Sequence, residues 1–229
     1  MGRDISKELD RLKNSILYLG ASVEGNLQKA ITSFLENDIE LAREVKRNDA
    51  EINGNEVRLE EQCLSVMALH QPVAGDLRFI VTVLRINIDL ERIGDLTVNI
   101  ADKVVKISLS RQQGNMGSDL AEIKQKFHAM FDATQLMVNK CLEAFVNEDA
   151  DLAYKIILAD EQVDSAKSSI RALLEETIQK EPAKHVHLAL LLSVSRSLER
   201  IADHATNISE DIIYMLQGRI IRHMIDSPV

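Results

Sequence analysis

Apolar residues recur at steps of three and four along almost the whole chain, and this spacing limits the fold more than any other feature. Ile5, Leu9, Leu12, Ile16, Leu19, Val23, Leu27, Ile31 and Phe34 form one seam. Such a stripe belongs to a single long helix that buries one face. Asn37-Asp38 then offers a stop and a fresh N-cap. A second helix is predicted through Ile39, Leu41, Val45, Ile52, Leu59, Leu64 and Met67, ending before Pro72. The third runs from about Val73 through Leu84, Ile93 and Ile100 to Leu109.

Residues 111–118, which include Gly114 and Gly117, break the pattern and read as a linker. The seam resumes with Leu120, Ile123, Phe127, Met130, Thr134, Met137 and Cys141. Asn147-Glu148-Asp149 ends the fourth helix, Pro182 the fifth and Gln217-Gly218 the sixth. Three prolines, nine glycines, no Trp and 3% aromatics suit long aliphatic helices and not a turn-rich β protein. The expected fold is all-α: two tandem three-helix bundles, residues 1–110 and 119–229, joined by the linker.

The halves repeat each other. Leu90-Glu-Arg-Ile-Gly-Asp95-Leu-Thr-Val-Asn-Ile100 aligns with Leu198-Glu-Arg-Ile-Ala-Asp203-His-Ala-Thr-Asn-Ile208. Asp38-Ile-Glu-Leu-Ala42 matches Asp149-Ala-Asp-Leu-Ala153, and Asp49-Ala-Glu-Ile-Asn53 matches Asp160-Glu-Gln-Val-Asp164. The offset is 111 residues between Asp49 and Asp160 and 108 between Glu91 and Glu199. A duplicated three-helix unit, tighter by about three residues in its second hairpin, explains both offsets.

Within this repeat the acids fall into pairs. Residues four apart share a helix face about 6 Å apart along its axis. Glu91/Asp95, Glu199/Asp203 and Asp160/Asp164 are therefore carboxylate pairs, with Asp49/Asn53 a weaker fourth. Like charges at this spacing destabilise an isolated helix by a few tenths of a kcal/mol, so something must compensate. The motif centres at residues 51 and 93 have Pro72 as their midpoint, and those at 162 and 201 straddle Glu181-Pro182. If each proline marks a hairpin tip, each half gathers three or four oxygen-bearing side chains at one height. Hard oxygen ligands suit Mg, Mn, Fe or Ca, and Zn accepts them too. Asn99/Asp102 and Asn207/Glu210 extend the same faces as further ligands or supports. The competing reading is a solvated acidic face partnered by Arg92 and Arg200, ion pairs worth little at a surface. Repetition, shared height and the small neighbours Gly94 and Ala202 weigh against it.

Other signals are weaker. His204 follows Asp203 and is a further nitrogen-ligand candidate, although its counterpart is Leu96. His185 and His187 are expected to be solvated or in a helix's first turn. Met67, Met130, Met137 and Met215 read as core filler, and Cys63 and Cys141 as reduced core thiols. Asp and Glu outnumber Lys and Arg 36 to 27, which speaks against nucleic acid. The longest apolar run, Leu188 to Val194, is far short of a membrane span. The charged N-terminus lacks the apolar core of a signal peptide; its Gly2/Ser6 match to an acylation pattern is loose. A cytoplasmic protein is expected.

The runs Gln71-Pro-Val-Ala-Gly-Asp-Leu-Arg78, Asp89-Leu-Glu-Arg-Ile-Gly-Asp95 and Leu198 to Ile208 closely resemble the PhoU family of bacterial phosphate-uptake regulators. The resemblance extends over nearly the whole chain, each half looking like one family unit. It implies two three-helix bundles with multinuclear iron or zinc clusters on E(D)-x-x-x-D motifs. Carried over, those motifs fall on Glu91/Asp95 and Glu199/Asp203, facing Asp49/Asn53 and Asp160/Asp164. The implied role is negative control of phosphate-starvation signalling, linking a phosphate ABC transporter ATPase to a sensor histidine kinase and reaching the membrane only through partners. The long seams also suggest a homodimer.

Two alternatives from other classes remain at this point. A carboxylate-bridged di-metal enzyme on a helix bundle would carry inward Glu-x-x-His units, and none of the six histidines has Glu three residues before it. A helical scaffold without metal is the other. A non-enzymatic regulator is the expectation.

Overall fold

The computed structural model describes residues 5–112 and 120–221, so most of the expected linker lies outside the described residues. Six long helices account for nearly all of them: α1 (Ile5–Glu36), α2 (Ile39–His70), α3 (Ala74–Gln112), α4 (Leu120–Asn147), α5 (Ala150–Lys180) and α6 (His185–Gln217). Each spans roughly 40–60 Å at 1.5 Å per residue. Helix α3 continues through Gln112, past the end of its apolar seam at Leu109.

Turn chemistry sets the helix junctions in both halves. Asn37 and Glu148 adopt positive φ (58° and 53°). The next residue then caps the following helix: Asp38 Oδ1 accepts from Leu41 N at 3.0 Å, and Asp149 Oδ1 from Leu152 N at 2.9 Å. Each contact satisfies one of the helix's first amide donors. At the hairpin tips, Pro72 lies between α2 and α3, and Pro182 opens a single 3₁₀ turn (Pro182–Lys184) before α6. Both prolines therefore sit where the motif midpoints require.

The seams converge on one core. Leu12, Ile16, Leu19, Val23 and Leu27 of α1, and Ile80, Val83, Ile86, Leu90 and Ile93 of α3, are buried. Leu188, Leu191, Val194, Leu198, Ile201 and Ile208 do the same for α6. Leu64 departs from expectation: it is exposed, and Cys63 and Val66 carry the α2 seam at that height. Both cysteines are buried, and burial pushes the Cys63 thiol up to about 12. Of the two histidines opening α6, His185 is exposed and His187 is buried. His187 points inward because its position lies on the same stripe as Leu191 and Val194.

The two three-helix units, α1–α3 and α4–α6, pack side by side chiefly through α3 against α6, with α1 against α4. At the α1–α4 contact, Phe34 meets the rings of Phe127 and Phe131 at 4.9 and 5.3 Å. Across α3 and α6, Arg85 Nη1 binds Asp211 Oδ1 at 3.0 Å, with Asp211 only 1% exposed. The same guanidinium lies 5.4 Å from the Tyr214 ring centre. His204 Nδ1 meets Asp89 Oδ1 at 2.7 Å. Among the described residues, no helix is long and apolar enough to cross a membrane.

The Arg85 side chain is 40% exposed, so solvent screens its end of the pair. Arg85→Leu is therefore expected to lower unfolding stability in urea by about 1 kcal/mol. Equal stability of wild type and Arg85→Leu would contradict this account of the α3–α6 contact.

Candidate metal centre

Each hairpin turns the paired acids of its two helices toward a common groove. In the first half α2 and α3 meet at Gly94. A Cβ on Gly94 would lie 3.4 Å from Ile52 Cγ2 and 3.7 Å from Asp49 Oδ1. A methyl group would fit there in ordinary contact, as Ala202 does at the matching position, and Asp49 Oδ1 lies beside this point of α3. Asp49 Oδ2 accepts from Asn53 Nδ2 at 3.1 Å. Its buried Oδ1 has no hydrogen-bond partner.

Glu91 and Asp95 of α3 face this pair. Arg92 reaches both from the rim, 3.4 Å from Glu91 Oε2 and 3.5 Å from Asp95 Oδ2. Burial raises the Asp49 carboxyl above the usual range, and the Asp95 charge adds to it, opposed by the Asn53 hydrogen bond. Glu91 is raised by burial and then by Asp95, with Glu56 and Asp49 contributing in the same sense. Glu56 is a member outside the i,i+4 pairs. It follows Asp49 by seven residues, two turns along the same face. Asn87 Nδ2 donates to its backbone oxygen at 3.0 Å, which fixes the register of α2 on α3.

The second half repeats the plan. Asp160 and Asp164 of α5 meet Glu199 and Asp203 of α6. The Asp160 carboxyl is raised to about 6, first by burial, then by Asp203, Asp164 and Glu199. Asp203 is raised by burial and then by Glu199 and Asp164. Ala202, the counterpart of Gly94, is fully buried beneath them. Here the position equivalent to Glu56 is Lys167, whose Nζ lies 2.6 Å from Glu199 Oε1 and 4.0 Å from Asp164 Oδ1.

The remaining candidates fall elsewhere. Asp102 is held by Lys46 at 2.7 Å, and Asn99 is exposed. Asn207 and Glu210 are half-buried further along α6. His204 turns its Nδ1 toward Asp89 on α3 and not toward its neighbour Asp203. Among the described residues, no three His, Cys, Asp or Glu side chains converge tightly enough to form a ready-made cage. Both clusters are open constellations that an ion would have to draw together.

Comparison with known proteins identifies the architecture. The PhoU domain profile matches residues 16–104 and again 127–212, one match per half. The chain belongs to the PhoU family. It is 33% identical over 98% of its length to a protein of Pseudomonas putida named phosphate-specific transport system accessory protein PhoU homolog, covering 85% of that relative. It is 30% identical over 95% of its length to the Escherichia coli K12 protein of the same accessory name, covering 87% of it. The crystal structure of PhoU from Pseudomonas aeruginosa superposes with a TM-score of 0.88 at 30% identity, over 94% of this chain and all of that one. The phosphate transport system regulatory protein PhoU from Streptococcus pneumoniae gives 0.81 at 29% identity, over 95% and 99%. The two PhoU profile matches include all eight motif positions.

Asp160 supplies a pH test with a definite sign. Its folded-state carboxyl is raised from 3.8 to about 6, so the native state binds the extra proton. Between about pH 4 and 6 this group therefore removes stability as pH rises. In chelator-treated protein, Asp160→Asn is expected to raise the Tm at pH 7 but to change it little at pH 4. An Asp160→Asn variant less stable than wild type at pH 7 would contradict the cluster's electrostatics.

Proposed function

We propose that this protein is an accessory regulator of the phosphate-specific transport system that exerts negative control over phosphate-starvation signalling. The observation that carries the reading is its near full-length similarity to proteins named as accessory or regulatory components of that system. It acts in the cytoplasm, by contact with the ATPase of a phosphate ABC transporter and with a sensor histidine kinase, as a homodimer and without catalysis of its own. No Glu-x-x-His unit supports the di-metal enzyme alternative.

The carboxylate clusters extend this reading to metal. Asp49, Asn53, Glu91 and Asp95 would hold ions between α2 and α3, and Asp160, Asp164, Glu199 and Asp203 between α5 and α6. The fit rests on the chemistry of the donors and on Asp49 Oδ1, a buried oxygen with no partner. Such an atom is costly when unsatisfied. Iron or zinc bound there would neutralise the mutual repulsion that raises these carboxyls and clamp each hairpin electrostatically. The chain's own part is to present the oxygens at one height and to exclude solvent on the Gly94 and Ala202 side.

Replacing Glu91 and Asp95 together with alanine is expected to remove the metal of the first cluster, lowering total iron or zinc in elemental analysis of natively purified protein. Unchanged metal content would refute the assignment. For the regulatory role, immobilised protein should retain the transporter ATPase and the kinase at micromolar concentration. Retention of neither, at low or high phosphate, would remove its basis.

A further inference from the structure

The two clusters are not equivalent, and the difference lies at one pair of matched positions. Around the first stand four acids, Asp49, Glu56, Glu91 and Asp95, with neutral Asn53 as the fifth oxygen-bearing group. Around the second stand Asp160, Asp164, Glu199 and Asp203, but Lys167 replaces Glu56. The flanking arginine is common to both, since Arg92 corresponds to Arg200. Beyond that arginine, the first cluster has the acid Glu56 where the second has the cation Lys167.

Lys167 is built into its cluster and does not merely lie near it. Its ammonium is 2.6 Å from Glu199 Oε1 and 4.0 Å from Asp164 Oδ1, joining α5 to α6 across the groove. The Lys167 and Glu199 side chains are 31% and 22% exposed, so solvent screens the pair only in part. An ammonium here satisfies the same carboxylate oxygens that a divalent ion would use. At the first cluster, Arg92 approaches its acids only at 3.4 to 3.5 Å from a more exposed rim position.

We propose that Lys167 is an internal counter-ion that competes with metal for the second cluster, so that the two clusters bind divalent cations with different affinities, the first more tightly. Metal enters the α5–α6 groove only as Lys167 releases Glu199, whereas Glu56 adds a fourth carboxylate to the α2–α3 groove. This inference rests on the metal reading above and specifies how the load is shared. It makes the second half the one whose occupancy follows the available metal concentration.

The test uses the full chain, stripped with chelator and titrated with Zn²⁺ alone by calorimetry, with the Zn²⁺-induced rise in Tm as a second readout. The Glu91→Ala/Asp95→Ala background isolates the second cluster. On that background, Lys167→Gln is expected to tighten Zn²⁺ binding at least about tenfold, as removal of a cation within ~4 Å of the site requires. In the otherwise native chain, Glu56→Gln should weaken the tighter class and leave the weaker one alone. Equal Zn²⁺ affinity with and without Lys167 would overturn the proposal while leaving the metal reading intact. Absence of Zn²⁺ binding by the native chain and by Lys167→Gln would instead overturn the metal reading, and this inference with it. Lys167→Gln retains helix propensity at a partly exposed position, so its folding is expected to match wild type.

Discussion

Helices α3 and α6 bury their apolar seams against each other and against their own units, and they carry Asp89–His204 and Arg85–Asp211 across the contact. With these two faces committed, each helix has one side left for its own hairpin partner, α2 or α5. That side carries Glu91 and Asp95 in one half and Glu199 and Asp203 in the other. The acids are held in two separate grooves because the central pair occupies the space between the units. A shift of α3 along α6 would break both contacts and expose Asp211, which is otherwise almost fully buried.

Repulsion among the clustered acids is a cost that the fold accepts. Asp49, Glu91, Asp160 and Asp203 are all raised above the ordinary carboxyl range, with burial the leading cause in every case and neighbouring acids the next. An all-aliphatic groove would be more stable on its own. The acids nevertheless stand at matched places in both halves. The halves answer the repulsion differently, with Lys167 in one and an outlying Arg92 in the other.

Much of this was legible without coordinates. The steps of three and four mark six helices, and Asp38 caps α2 as expected; its repeat counterpart Asp149 caps α5 in the same way. The hairpin tips followed from Pro72 and Pro182, which is why the heights of the facing motifs came out correctly. Leu64 misled because its spacing fits a seam, while the α2 face that turns inward is fixed by contact with α1 and α3. Glu56 and Lys167 lie outside the i,i+4 pairs that mark the other acids. Their place two turns beyond Asp49 and Asp160 was available as a signal.

His204 marks the boundary between the two kinds of information. Sequence places it beside Asp203, and only the packing of α6 on α3 decides that its Nδ1 goes to Asp89. Local periodicity, caps and the repeat depend on residues near one another in the chain, so the sequence by itself determined the helices, their turns and the duplicated acidic pairs. How the units dock and which acids Arg85 and Lys167 meet on a facing helix depend on residues more than thirty positions apart. Those were decided by the tertiary structure, because burial and electrostatic pairing act through space and not along the chain.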